Sequence, residues 1–427
     1  MEQPLTQHIK KDGSVLSLKE YESTGGYQAL KKALQSTPAE IMEIVKDSKL
    51  RGRGGAGFPT GMKWSFGPKD DGTPITKYLI ANGDEMEPGT FKDRLLLEGS
   101  PHQLIEGMII SAYAFQANIS YIFLRWAYHV AAERVTVALK EAYDAGYLGK
   151  NIAGSNYSLE MHLHTSVGRY MCGEETALLN ALEGKRANPR NKPPFPQVSG
   201  LFGKPTIVNN VETLCNIPHI IAHGAEWYLG ISKSPGGGGT KLYGASGKVK
   251  TPGIWELPLG TPLREIIEVH AGGMMDGYKF RGVLPGGAST DFLTEEHLDV
   301  AMDFEEVTKA GSRMGTGTVI VLDDKTCPVG MCLNLEKFFA QESCGWCTPC
   351  REGLPWTAKI LQGLEMGQGK MEDIDHLIYQ THYNAPGNTF CALAPGAMEP
   401  LQSALKYFRE DFEKHIHDHR CGYKEHN

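Results

Sequence analysis

Cys344, Cys347 and Cys350 in the run SCGWCTPC, with Cys391 farther on in FCALAP, are the residues best suited by type and spacing to do chemistry. Four thiolates can close the shell of one iron–sulfur cubane, and C-x2-C-x2-C is the ferredoxin-like way to hold three of its irons. The short spacing wraps one loop around a cluster corner, and the remote cysteine ties that loop to another part of the fold. Zinc is the main rival, although four-cysteine zinc sites usually present two separated C-x2-C knuckles rather than a triplet and a singleton. Unliganded thiols are the third reading. Cys172 and Cys215 lack such spacing and read as core thiols. The histidine-rich tail, HIHDHRCGYKEHN, reads as a fraying helix end rather than a metal site.

A second group of residues suits phosphates and polyols. In LRGRGGAGFPTGMKW, four glycines within six residues let backbone N–H groups approach an anion, with Arg51, Arg53 and Lys63 alongside. Gly52-x-Gly54-x-x-Gly57 formally matches the dinucleotide fingerprint, but a helix precedes it where that fingerprint needs a strand. A flexible surface loop is the plain alternative. The apolar run KYLIA ends in NGDEMEPGTFKDR, placing Asn82, Asp84, Glu85 and Glu87 beyond a strand's carboxyl end. Carboxylates there can accept hydrogen bonds from sugar or polyol hydroxyls; otherwise the segment is a solvated acidic turn. In GRYMCGEETAL, Glu174 and Glu175 open a helix, where the helix dipole favours acids whatever their function. The long loop KRANPRNKPPFPQVSGLFGKP joins Lys185, Arg186, Arg190, Lys192 and Lys204 with Phe195: cations for a diphosphate and a ring for a base. Asn209, Asn210 and Thr213 follow at the next helix start.

The elements that must position these groups alternate strand and helix. Residues 1–37 read as a polar extension with one short helix, YQALKKALQ. Thr37-Pro38 starts a helix with Ile41, Ile44, Val45 and Leu50 on one face. KYLIA, SYIFLR and SLEMHLH read as strands, and PHQLIEGMIISAYAF and AAERVTVALKEAYDAG as helices between them, which predicts a parallel sheet covered by helices. In SLEMHLH, Leu159, Met161 and Leu163 share one face; His162 and His164, with Glu160 on the other, read as solvent-facing or supporting groups. The break SPGGGGT marks a domain boundary, residues 240–325 read as an α+β module, and the chain is helical from about residue 330. The expected division is 1–70, a helical extension and glycine loop; 71–238, a Rossmann-like domain; 239–328, the α+β module; and 329–427, a helical cluster domain.

A chain of 427 residues, 41% apolar and 22% charged, is globular and too long for one core. A net charge of −7 argues against a general nucleic-acid binder. No apolar run approaches a membrane span, the N-terminus lacks the marks of a signal or transit peptide, and nine cysteines without a disulfide pattern fit a reducing compartment. The expectation is a soluble, cytoplasmic protein that reaches a membrane only through partners. A cubane takes one electron at a time, whereas a nicotinamide delivers a hydride; a flavin can accept two electrons and release them singly, which links the two groups of residues.

GRGGAGFPTGMKW, NGDEMEPGTFKDR, GRYMCGEETAL, ANPRNKPPFP, PTIVNNVETL, ESCGWCTPCREG and FCALAPGA together resemble, in matching order over roughly residues 20–412, the NADH-binding flavoprotein subunit of respiratory complex I, its F subunit. The resemblance implies FMN held by Arg53, Gly54, Lys63, Asn82, Asp84, Glu85, Tyr170, Gly173, Glu174, Asn209, Asn210 and Thr213. It implies NADH held by Phe58, Phe66 and Phe195 as aromatic platforms, with Glu87, Glu175 and Lys192 as polar contacts. It implies a 4Fe–4S cluster on Cys344, Cys347, Cys350 and Cys391, a ubiquitin-like middle module, and catalysis by positioning without a general acid or base. The implied partners are a thioredoxin-like 2Fe–2S subunit and a larger multi-cluster subunit, in a complex peripheral to the inner membrane whose final acceptor is quinone. The rival readings are a diaphorase subunit of an NAD-linked hydrogenase or formate dehydrogenase and, from another class, a zinc-stabilised nucleotide-binding regulator without redox chemistry.

Overall fold

A computed structural model describes residues 2–68 and 75–423. The chain forms two compact units: Met1–Met86, Phe91–Leu242 and Glu256–Gly260 in the first, Glu87–Thr90, Tyr243–Trp255 and Thr261–Asn427 in the second.

The first unit is built on β1 (Tyr78–Gly83), β2 (Ile119–Arg125), β3 (Glu160–Ser166) and β4 (Thr206–Asn210), all parallel in the order β3-β2-β1-β4. Leu79, Ile80 and Ala81 of β1 expose no surface, as a central strand of a helix-covered parallel sheet requires. Helix Pro101–Phe115 joins β1 to β2, His129–Asp144 joins β2 to β3, and Val211–His223 follows β4. Gly107 allows Pro101–Phe115 to close on Val211–His223, since a Cβ there would lie 2.1 Å from the Leu214 carbonyl oxygen. The chain runs outward from β1 through β2 to β3 and then returns to the other side of β1. That reversal opens a crevice beyond the carboxyl ends of β1 and β4, where Asn82 stands opposite Asn210.

The amino-terminal segment is packed and not a loose extension. It holds two helices, Leu18–Ser23 and Gln28–Ala33, where one is expected from the sequence. Buried Glu106 binds them from helix Pro101–Phe115, accepting from Tyr21 Oη at 2.7 Å, Tyr27 N at 2.9 Å and Leu30 N at 3.1 Å. The next helix, Pro38–Asp47, has the expected start: Thr37 and Glu40 form a reciprocal cap. The glycine run before residue 240 is a close crossing; a Cβ on Gly239 would stand 2.0 Å from the Tyr228 ring.

A second sheet holds strands β5 (Thr240–Gly247), β6 (Gly253–Pro258), β7 (Phe280–Leu284) and β8 (Thr318–Asp323), in the order β6-β5-β8-β7; Tyr243–Gly247 of β5, Gly253–Trp255 of β6 and all of β7 and β8 belong to the second unit. β5 and β8 are parallel; β7 and β8 are antiparallel. Helices Pro328–Glu342, Thr348–Glu365, Met371–Tyr383, Leu393–Tyr407 and Arg409–His417 follow. The last two are separated at Phe408, which leaves the helical conformation and packs edge-on against Phe292.

Candidate functional site

The glycine loop is closed by two backbone bonds, Gly52 N to Phe58 O at 2.9 Å and Thr60 N to Leu50 O at 2.8 Å. Gly55 and Gly57 lie at φ +121° and +64°, where a side chain would strain the turn. Arg53 N donates to Thr213 Oγ1 at 2.8 Å, docking the loop on the first turn of helix Val211–His223. A Cβ on Gly54 would stand 3.1 Å from Asn210 Cβ, so the loop lies directly against the end of β4.

The strand ends are cross-braced by their amides. Asn82 donates to Cys172 O at 3.2 Å and accepts from Asp84 N at 3.1 Å, linking β1 to the turn Tyr170–Gly173. Asn209 accepts from Trp64 Nε1 at 2.9 Å, and Asn210 caps helix Val211–His223 through Glu212 N at 3.0 Å. Burial raises the Asp84 carboxyl to about 6, against the pull of Ser166 and Arg125. Glu85 accepts from Asp93 N at 2.9 Å, Arg94 N at 3.2 Å and Tyr128 Oη at 3.1 Å. Burial, then the charge of Asp93, raises it to about 7.

Lys63 lies between the glycine loop and the helix of the acids: its Nζ meets Glu175 Oε2 at 2.6 Å and Val208 O at 2.8 Å. Lys192 reaches Glu174 Oε1 at 2.6 Å and Glu175 Oε1 at 3.7 Å. Burial alone would raise the Glu175 carboxyl; Lys63 and then Lys192 outweigh it and hold it below the usual range. Glu174 is the helix cap, accepting from Thr176 N at 2.9 Å and Ala177 N at 2.8 Å.

Arg53 differs from the expectation of a phosphate-facing cation. Its guanidinium has no exposed surface and donates to Gly238 O at 2.9 Å and Thr240 O at 3.0 Å, so the side chain braces the loop. A buried charge network also lies here that sequence reasoning missed. Lys92 Nζ lies 2.7 Å from Asp93 Oδ1 and 2.8 Å from Glu212 Oε2, and Lys241 Nζ lies 2.7 Å from the same Glu212 oxygen. Lys92 also reaches Asn210 Oδ1 at 3.3 Å, and Asn210 Nδ2 donates to Asp93 Oδ2 at 2.6 Å. Lys92 and Asp93 stand in the run GTFKDR and Glu212 in NNVET, but a charge pattern does not show which charges will be buried.

Phe58 and Phe66 are about half exposed and tilted together, their ring centroids 6.1 Å apart. Phe195 is 52% exposed, just before the short helix Pro196–Ser199. Tyr170 is half-buried, and Gly173 is exposed with open space where a Cβ would stand. Of the expected nucleotide contacts, Glu87 alone belongs to the second unit, where its carboxylate accepts from Ser289 N at 2.7 Å.

The cysteine loop lies in the second unit between two helices: Pro328–Glu342 precedes it, and Cys347 is the residue immediately before Thr348–Glu365. Phe390 N donates to Cys347 Sγ at 3.2 Å, bringing the singleton Cys391 beside the triplet. Burial and then, against the Ser343 hydroxyl, the neighbouring Cys344 and Cys347 thiols raise Cys350 to about 11. None of the four cysteines is in a disulfide.

A parallel sheet with a glycine loop against its switch point, on one chain with a C-x2-C-x2-C loop that meets the segment holding a fourth cysteine, is the equipment of a nucleotide-cofactor iron–sulfur protein. Residues 45–219 match the Nuo51 FMN-binding domain, 330–415 the NADH-ubiquinone oxidoreductase-F iron-sulfur binding region, and 245–292 the SLBB domain. Over 414 residues the chain is 59% identical to the F subunit of NADH-quinone oxidoreductase of Salmonella typhimurium, and equally to that of Escherichia coli, covering 97% of this chain and 93% of each relative. A crystal structure of an NAD+-reducing NiFe-hydrogenase in the H2-reduced state superposes with a TM-score of 0.82 at 33% identity, covering 94% of this chain and 67% of that one. The chain belongs to the family of NADH-quinone oxidoreductase F subunits.

Proposed function

We propose that this chain is the NADH-oxidising flavoprotein subunit of a respiratory NADH:quinone oxidoreductase, complex I, working with FMN, NADH and a 4Fe–4S cluster. The observation that carries the reading is the meeting of the glycine loop with the end of β4 and the helix that follows it: Gly54 against Asn210, and Arg53 N on Thr213. The donor set fits FMN. Backbone N–H groups of the loop and the Lys63 cation suit a phosphate, and Asn82, Asp84 and Glu85 supply acceptors for a polyol. When bound, FMN takes two electrons as a hydride and gives them up one at a time.

Arg53 holds the loop; Gly54, Tyr170, Gly173, Glu174, Asn209, Asn210 and Thr213 shape the remainder of the shell. Phe58, Phe66 and Phe195 offer aromatic faces to NADH, with Glu87, Glu175 and Lys192 as polar contacts. No general acid or base is required, because aligning the nicotinamide with its acceptor and excluding water provides most of the rate. Cys344, Cys347, Cys350 and Cys391 hold the cluster, a donor set that suits iron–sulfur ligation. The division at residues 70, 238 and 328 assigns these tasks to separate segments, the third carrying the SLBB match.

The chain works with partner subunits, for which we propose a thioredoxin-like 2Fe–2S subunit and a larger multi-cluster subunit that pass electrons on to quinone. Among the described residues no helix is long and apolar enough to cross a membrane. In this reading, attachment to the cytoplasmic side of the inner membrane runs through the complex. The diaphorase reading has the 33% hydrogenase similarity behind it, against 59% to the F subunits of NADH-quinone oxidoreductase. Anaerobic NADH titration followed by visible absorption and EPR tests the proposal. Flavin bands should bleach and a reduced-cluster signal should appear; a colourless protein inert to NADH would overturn it.

A further inference from the structure

At the far end of the helix pair that carries the cysteine loop, four side chains from four points of the chain converge. Cys327 caps the start of Pro328–Glu342, Glu365 ends Thr348–Glu365, His415 lies in Arg409–His417, and Cys421 follows that helix. Their ligand atoms all lie within 4.8 Å of one another, and among the described residues this is the one group of three or more such side chains gathered so closely. Cys327 Sγ lies 3.1 Å from Glu365 Oε1 and 3.4 Å from His415 Nε2, and those two are 3.2 Å apart. Ligands bound tetrahedrally to one zinc ion at about 2.0–2.3 Å stand about 3.3–3.8 Å from each other, so the group is already near that spacing.

The surroundings are those of ligands held for a metal. His415 Nδ1 meets the Asp411 carbonyl at 2.6 Å, which fixes the ring and leaves Nε2 to face Cys327 and Glu365. Gly330 N donates to Cys327 Sγ at 3.3 Å, a bond that steadies a thiolate. His415 and Cys421 are 2% and 4% exposed, so the site is closed on its inner side. The sequence pattern of the tail is that of a fraying helix end; its histidine and cysteine are instead folded onto the two helices.

We propose that Cys327, Glu365, His415 and Cys421 form a structural zinc site that clamps the ends of the cluster-bearing helix pair remote from the cysteine loop. Two thiolates, an imidazole and a carboxylate make a closed four-ligand shell of the kind structural zinc occupies, and the thiols release their protons to solvent on binding. The proposal is independent of the flavin and iron–sulfur assignments.

The test uses the full-length holoprotein, purified without chelators or a polyhistidine tag. Elemental analysis should find one zinc per chain in addition to the cluster iron, and zinc-edge X-ray absorption should show sulfur neighbours at about 2.3 Å with nitrogen or oxygen at about 2.0–2.2 Å. Cys327→Ser and Cys421→Ser should reduce zinc to trace levels, while His415→Cys, which keeps a ligand, should retain it. Wild-type protein without zinc, zinc lacking sulfur neighbours, zinc undiminished in both serine variants, or a Cys327–Cys421 disulfide in peptide mapping would each overturn the assignment. The wild-type measurements stand even if a variant fails to fold.

Discussion

Lys92 and Glu212 form an ion pair, Nζ to Oε2 at 2.8 Å, in which neither side chain is more than 1% exposed. Glu212 also receives Lys241, and Lys92 also holds Asp93, so the pair is the centre of a buried network beneath the crevice. Burial alone would raise Glu212, yet Lys241 and Lys92 bring it down to about 2.

Lys92→Met leaves Asp93 and Glu212 short of one cation in a dry site. Breaking a buried pair from one side costs about 3–5 kcal/mol, so the urea midpoint should fall markedly while far-UV circular dichroism at zero urea is kept. A midpoint within error of wild type would show that the network does not support the fold.

Glu85 predicts a pH dependence. Its carboxyl is raised from 4.5 to about 7, so the folded state keeps a proton that the unfolded state has released. The stabilisation is fully present below pH 4.5 and is lost as pH rises through about 7. Glu85→Gln cannot titrate, so wild-type urea midpoints should fall relative to the variant between about pH 5 and about 8. A constant difference across that range would rule out Glu85 as the titrating group.

Glu175→Gln and Glu87→Gln should change nucleotide affinity more than flavin content. Glu175 neutralises Lys63 and Lys192, and losing one charge-assisted contact is worth about 1.4 kcal/mol, or roughly a tenfold rise in KM for NADH. FMN per chain, read from released flavin fluorescence, should be unchanged. Parallel loss of FMN would count against the nicotinamide assignment.

Cys391→Ser removes the thiol that Phe390 N sets beside Cys347. Iron should be lost and amide exchange should quicken in Leu393–Tyr407, with FMN largely retained. Complete loss of flavin along with iron would show that the two sites are not carried by separable parts of the chain.

Local chemistry accounts for what was legible in the amino-acid order. The Thr37-Pro38 start, the apolar run of β1 and the alternation in β3 act over a few residues, so helix Pro38–Asp47 and strands β1, β2 and β3 were readable, whereas the short β4, whose last residues read as a helix start, was not. The cysteine spacing likewise pointed to an iron–sulfur site, and residues 330–415 match an iron-sulfur binding region. Tertiary packing decided the partners. Arg53 is set among basic loop residues in sequence, yet its guanidinium binds Gly238 and Thr240. Lys92 is paired across more than a hundred residues with Glu212, and the tail's His415 and Cys421 converge on Cys327 and Glu365. Periodicity and capping are properties of neighbouring residues, whereas the partner of a buried charge or thiol is chosen by which distant segments are pressed together.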